Sequence, residues 1–231
     1  MMCMSARKCF WMGLLSLLLC ACTPLSKHAR PPTVAVWDFD NASFIDAANV
    51  DYLSRTLQEM LLSNLAQAPD IQLVERVRLR EALEEQRLGS SELVSEDNRI
   101  KLGRILGAKY MVFGNYIAME DKVRLDVRLV EVETSLVKLS EDATTPLDQI
   151  APKVQALARH IAAQLGASPF SGTGGPGETS AWKHYGQGIA LMDKHRYDEA
   201  IAVFKELLKT YPTFKAAERQ IQLALERQAR E

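Results

Sequence analysis

The stretch KYMVFGNYIAMEDKVRLDVRLVEVETSLVKLSE, residues 109–141, decides the fold class. Residues 109–119 are mostly apolar and read as a strand. After the turn Glu120-Asp121, residues 122–132 alternate. Val123, Leu125, Val127 and Leu129 fall on one face, with Arg124, Asp126 and Arg128 on the other. That period of two describes a sheet with one covered face and one wetter face. Glu133-Thr134-Ser135 turns the chain again, and residues 136–141 form a third strand.

Working outward, TVAVWDF at residues 33–39 reads as a buried strand, and DNAS at 40–43 as a turn. Across residues 50–68, Leu53, Leu57, Met60, Leu61 and Leu65 keep a helical rhythm that Pro69-Asp70 ends. Residues 71–74 are a short strand. Residues 76–87 read as a helix with Leu79 and Leu83 inward, closed by Gly89. Ser95 caps a further helix, with Glu96 and Asp97 in its first turn and Gly107 at its end. A last helix spans residues 146–165, with Ile150, Val154, Leu157, Ile161 and Leu165 inside. The order β-α-β-α-α-β-β-β-α predicts an α/β (α+β) domain, a mixed β-sheet packed with helices, over residues 33–166.

The ends differ from this domain. All four cysteines, Cys3, Cys9, Cys20 and Cys22, precede residue 23. Arg7 and Lys8 precede an apolar run at residues 10–19, a length that suits a signal peptide and is too short to span a bilayer. Leu19-Cys20-Ala21-Cys22 resembles a bacterial lipobox. The resemblance implies removal of residues 1–21, lipid on the Cys22 sulfur, and anchorage at the periplasmic face of the outer membrane, since Thr23 and not Asp follows. Cleavage takes the formal charge from −1 to −3 by removing Arg7 and Lys8. It leaves no cysteine pair for a disulfide. Residues 22–32, with Pro24, Pro31 and Pro32, read as a tether.

GASPFSGTGGPGETS, at residues 166–180, is rich in Gly and Pro and reads as a flexible linker, residues 167–180. Beyond it, residues 181–214 resemble one tetratricopeptide repeat of 34 residues. RYDEAIAVFKELLKTYP, residues 196–212, carries the match. Gly188 falls at the close helix–helix contact and Leu191 where an aromatic is usual. Tyr197, Ala200 and Phe204 take the second-helix positions, and Pro212 ends that helix. Residues 215–230 continue as a helix with Ile221 and Leu225 apolar. Residues 181–231 thus form a small C-terminal all-α tetratricopeptide-like helical module. The resemblance implies protein binding. One and a half repeats bury little, so the module is expected to lean on the mixed domain, a partner or another copy.

VAVWDFDN (34–41), LVERVRLREALEEQRL (73–88), LGRILGAKYMVFGNYI (102–117) and VRLDVRLVEVETSLV (123–137) together resemble the curli-transport, CsgG-type, family of bacterial lipoproteins. The fold type is similar to the amino-terminal domain of the Tol translocation protein. The resemblance implies envelope or secretion proteins as partners, with a homo-oligomer among the expected assemblies. The family's channel members insert two β-hairpins. Here one connection is Glu120-Asp121 and the other lies near DATTPLDQ, residues 142–149, too short for strands of about 9–11 residues each. The expectation is a non-enzymatic scaffold or accessory in envelope, secretion or surface-appendage assembly, with an export-channel subunit as the alternative.

Other chemistry finds little support. A formal charge of −1 with no basic stripe argues against nucleic acid. GTGGPGET, residues 172–179, approaches a phosphate loop, but Glu178 stands where the lysine belongs, so no nucleotide is expected. Asp38 and Asp40 flank Phe39 and fit a strand end and turn better than a cation site. His28, His160, His184 and His195 are scattered without partners at metal spacing. Arg76, Arg78 and Arg80 read as a solvated face. No catalytic residues, metal or cofactor are expected.

Overall fold

A computed structural model describes residues 30–44, 50–74 and 95–230. The chain divides into the units Met1–Arg30 and Pro31–Glu231, and the elements below all belong to the second. The expected helix at 76–87, with Arg76, Arg78 and Arg80, lies outside the described residues, as do Cys22 and His28.

Six strands form one mixed sheet among the described residues: β1 Thr33–Val36, β2 Asp40–Asn41, β3 Gln72–Leu73, β4 Tyr110–Met119, β5 Lys122–Glu131 and β6 Leu136–Pro146. The order is β3-β1-β4-β5-β6, with β2 also on β4. β1 runs parallel to β3 and β4, whereas β4, β5 and β6 are antiparallel. The expected strand at 136–141 continues to Pro146, because β5 offers ladder partners as far as Lys122. The expected strand at 33–39 ends at Val36. Beyond it the chain dips, Phe39 N–H donates to the Ser54 carbonyl and the Ser54 hydroxyl donates to the Phe39 carbonyl. Phe39 thereby fills the space beside Gly114, where any Cβ would overlap its ring.

The helices are α1 Leu53–Leu65, α2 Glu96–Ile105, α3 Ile150–Gln164, α4 Thr179–Asp193, α5 Tyr197–Thr210 and α6 Lys215–Gln228. The expected helix at 146–165 starts later, after a single 3-10 turn at Leu147–Gln149. Ser95 stands at the start of α2, where its carbonyl and not its side chain meets the helix, accepting from Arg99 N–H.

Period-two alternation sends the two faces of the sheet to different cores. Val123, Leu125, Val127 and Leu129 join Val34, Val36 and Val112 under α1 and α3. On the other face Ala35, Trp37, Met111, Phe113 and Val130 pack with Ile100 and Leu102 of α2. α2 covers that face at one end, and Arg124, Asp126, Arg128 and Asp142 line the part beyond it.

α1 departs from an ordinary amphipathic helix. Its apolar stripe faces the sheet, yet Thr56, Gln58, Glu59, Ser63 and Asn64 are buried too. α4 packs on it. A helix buried all round needs its polar groups served from within. Gln58 donates to the Val36 carbonyl, Asn64 to the Met60 carbonyl, and Arg219 of α6 donates to Glu59. Arg55 pairs with Asp193 at the end of α4. The core is therefore continuous from the sheet through α1 into α4, α5 and α6.

Tyr116 lies in this core and donates to the Val50 carbonyl at 3.0 Å. Burial, with Asp51 nearby, raises its phenol pKa well above the ordinary 10.0. A raised folded-state value means that its contribution to stability is complete below pH 10 and lost as pH rises from there. Tyr116→Phe is accordingly expected to flatten the alkaline limb of a stability-against-pH curve. An unchanged limb in urea melts from pH 9 to 11 would refute this assignment.

Candidate functional site

Gly188, Leu191, Tyr197, Ala200, Phe204 and Pro212 fall on or beside the hairpin of α4 and α5. A Cβ on Gly188 would come within 2.6 Å of the Phe204 ring, so a bare backbone is needed for α4 to lie against α5. Ala200 and Phe204 are fully buried, Tyr197 nearly so, and its hydroxyl lies 2.9 Å from His195 Nδ1. Leu191 is half-buried, and Pro212 is exposed just past the end of α5. Five of the six thus contribute to packing, and Pro212 marks a boundary.

The residues that join this module to the sheet domain were not singled out by sequence. Trp182 stacks edge-on with Tyr185 and Phe214, and its ring N–H donates to the Pro176 carbonyl at 2.8 Å. A Cβ on Gly186 would lie 2.6 Å from the Thr56 hydroxyl and 2.9 Å from the Tyr52 ring. The glycine-rich segment before α4 is pinned along its course. Ser168 N–H donates to Asp70, Gly174 N–H to the Asn64 side chain, and Gln155 to the Gly172 carbonyl. The Ser168 bonds hold the Asp70 carboxyl below its usual range. The available signal was the small residues themselves: Gly174 and Gly175, which composition alone assigns to a linker, and Gly186 in the helix that follows.

The second polar constellation lies on the sheet face beyond α2. Arg99 donates both terminal nitrogens to Asp40, at 2.8 and 2.9 Å, and its guanidinium sits 5.4 Å from the Trp37 ring centre. Arg128 meets Glu96 at 2.8 Å, and Arg124 meets Asp126 at 3.0 Å and Asp142 at 3.4 Å. Hydrogen bonding and attraction from Asp126 raise the Arg124 pKa further. A cleft of about 230 Å³ is lined by Asp40, Glu96, Arg99, Asp126, Arg128 and Asp142 among others. Asp40 is thus turned to Arg99, and Asp38 lies 3.9 Å from Arg55. Each carboxylate meets an arginine, which accounts for the aspartates without a bound cation. His160 lies 2.8 Å from Glu141 on the surface, apart from His184 and His195. Among the described residues no group of three His, Cys, Asp or Glu side chains could hold a metal. Nor is any helix among them long and apolar enough to cross a membrane.

These features define a class: a mixed α/β sheet domain with a cluster of C-terminal helices docked on its central helix. Residues 21–124, a little under half of the chain, match the family described as curli production assembly/transport component CsgG. No curated protein matches the sequence. Among solved structures the chain is similar to the LpoB C-terminal domain from Salmonella enterica, at 19% identity and a TM-score of 0.41, over 51% of this chain and 84% of that one. It is also similar to TolB from Acinetobacter baumannii, at 13% identity and a TM-score of 0.39, over 64% and 30%. A third is the PelC dodecamer from Paraburkholderia phytofirmans, at 16% identity and a TM-score of 0.38, over 61% and 91%.

Proposed function

We propose that this chain is an outer-membrane lipoprotein, held at the periplasmic face by lipid on Cys22. It acts as a non-enzymatic scaffold or accessory in envelope, secretion or surface-appendage assembly, through protein–protein binding. The observation that carries the reading is the match to the curli production assembly/transport family, which begins at residue 21, beside the lipobox cysteine. Several lipid chains on one terminus give lasting anchorage where a single chain does not.

A scaffold role is favoured over an export-channel subunit by two connections. β4 passes to β5 through Glu120 and Asp121, and β6 reaches α3 through one 3-10 turn. A membrane-spanning hairpin at either place needs two strands of about 9–11 residues. The C-terminal helices are read as one and a half tetratricopeptide-like repeats. The inner side of α4 lies on α1, so partner binding by the module falls to α5 and α6.

Metabolic labelling with tagged palmitate tests the anchor. The parent chain is expected to carry label and to sediment with outer membranes. Cys22→Ala is expected to lose both. Continued labelling of that variant would overturn the reading.

A further inference from the structure

Six large hydrophobic side chains are exposed among the described residues, and three of them lie at one end of the sheet: Ile105, Leu136 and Val137, at 55%, 59% and 50%. It is the end at which the chain enters the sheet. Lys109 N–H donates to the carbonyl of Thr33, the first residue of β1, and Val132 N–H donates to the Lys109 carbonyl. Val132 opens the turn that leads to Leu136 and Val137, which lie opposite Glu131 and Val130. Thr33 and Leu136 are three strand spacings apart, roughly 15 Å. Ile105 ends α2, just before the chain turns into Lys109. Of the other three, Phe44 and Met119 lie at the opposite end of β4, roughly 30 Å away, and Leu225 lies on α6.

We propose that this end of the sheet rests on the membrane leaflet that holds the Cys22 lipid, with Ile105, Leu136 and Val137 in contact with lipid. The inference rests on the proposed anchor and adds to it a membrane-facing surface of the domain. The occupant follows from the chain that leads into β1. Residues 22–32 span at most about 40 Å at full extension, and they join the sheet at Thr33, beside the exposed side chains. A domain on so short a tether meets the leaflet at a high effective concentration, so a few apolar side chains are enough to hold contact. The charges around them balance, with Arg104, Lys109 and Lys138 against Asp70, Glu131 and Glu133. Contact is therefore set by apolar surface and not by headgroup charge. Arg104, which donates to the Val132 carbonyl, and Lys109, 5.4 Å from the Tyr110 ring centre, have long apolar stems that let their charged ends stay among the headgroups.

The test uses the full lipidated chain, purified from membranes and placed in phosphatidylcholine vesicles that carry nitroxide-labelled lipid. An environment-sensitive dye is attached through one added cysteine. Ser135→Cys puts it in the turn beside Leu136, and Glu120→Cys puts it in the turn at the opposite end. The dye at position 135 is expected to shift its emission to the blue and to be quenched by the nitroxide, and the dye at position 120 to do neither. Adding Leu136→Ser to the Ser135→Cys chain is expected to weaken the contact about tenfold, as the loss of one buried leucine. Equal quenching at the two positions, or a signal at position 135 that Leu136→Ser leaves unchanged, overturns the proposal. So does quenching that appears only when phosphatidylglycerol is added, since the contact would then be electrostatic. A chain that carries lipid by mass yet is quenched at neither position overturns this inference alone. A parent chain whose mass shows no lipid overturns the anchor reading with it.

Discussion

Replacing Trp182 by Ala is expected to lower the stability of the whole unit by about 3–5 kcal/mol. The indole is 1% exposed and touches three neighbourhoods at once. Its ring meets Tyr185 and Phe214 within the helical module, with centroids 5.6 and 4.7 Å away. A Cβ on Gly175 would lie 2.6 Å from it, so it also fixes the glycine-rich segment, and its N–H serves the buried-side Pro176 carbonyl. Truncation leaves a cavity that aromatic neighbours of fixed shape fill poorly, and it removes a hydrogen bond. Because one apolar cluster runs from the sheet to α6, the loss is expected as a single shifted transition. Two to four degrees per kcal/mol for a unit of this size gives a fall in Tm of roughly 6–20 °C. Calorimetry checks it. A separate early melting step that leaves the sheet domain at its parent Tm would show instead that the module is an independent body.

Gly174→Val is expected to detach the glycine-rich segment from α1. Any Cβ at this position would overlap the Ser63 carbonyl and approach the Asn64 nitrogen. Both are main-chain atoms of a buried helix and have nowhere to move. Overpacking of this kind costs about 1–3 kcal/mol. The hydrogen bond from Gly174 N–H to the Asn64 side chain is expected to be lost with it. The expected readout is faster proteolytic cleavage within residues 167–178, together with a lower Tm. Gly177→Val is the matched control, because a Cβ there meets nothing within 4 Å. If the two variants are cleaved at the same rate, the close approach at Gly174 does not hold the segment.

Particular residues show how far the sequence could be read. The alternation from Val123 to Leu129 gave the strand and its two faces in one step, since a period of two has a single geometric meaning. The rhythm of Leu53, Leu57, Met60, Leu61 and Leu65 located α1 and its sheet-facing side equally well. Gly188 was singled out by its spacing from Tyr197, Ala200 and Phe204, and the structure sets its bare backbone against the Phe204 ring. Thr56, Glu59 and Ser63 were not recognisable as buried, because polar side chains on one face of a helix ordinarily mean solvent. Their burial depends on a covering element more than a hundred residues away. Gly174 was read as part of a linker for the same reason. Glycine is used both for freedom and for close approach, and composition does not separate the two uses.

Strand, helix and turn positions in the described residues were therefore largely determined by the sequence alone, because periodicity and turn chemistry act over a few residues. The lipobox-like run Leu19-Cys20-Ala21-Cys22, on which the proposed anchor rests, is read over four residues in the same local way. Tertiary structure alone decided that the C-terminal helices dock on α1, that Arg99 closes on Asp40 from 59 residues away, and that β6 is left at an edge. These outcomes depend on which distant surfaces meet. That is set by shape and by the pairing of buried polar groups across the whole unit, which no short window of sequence contains.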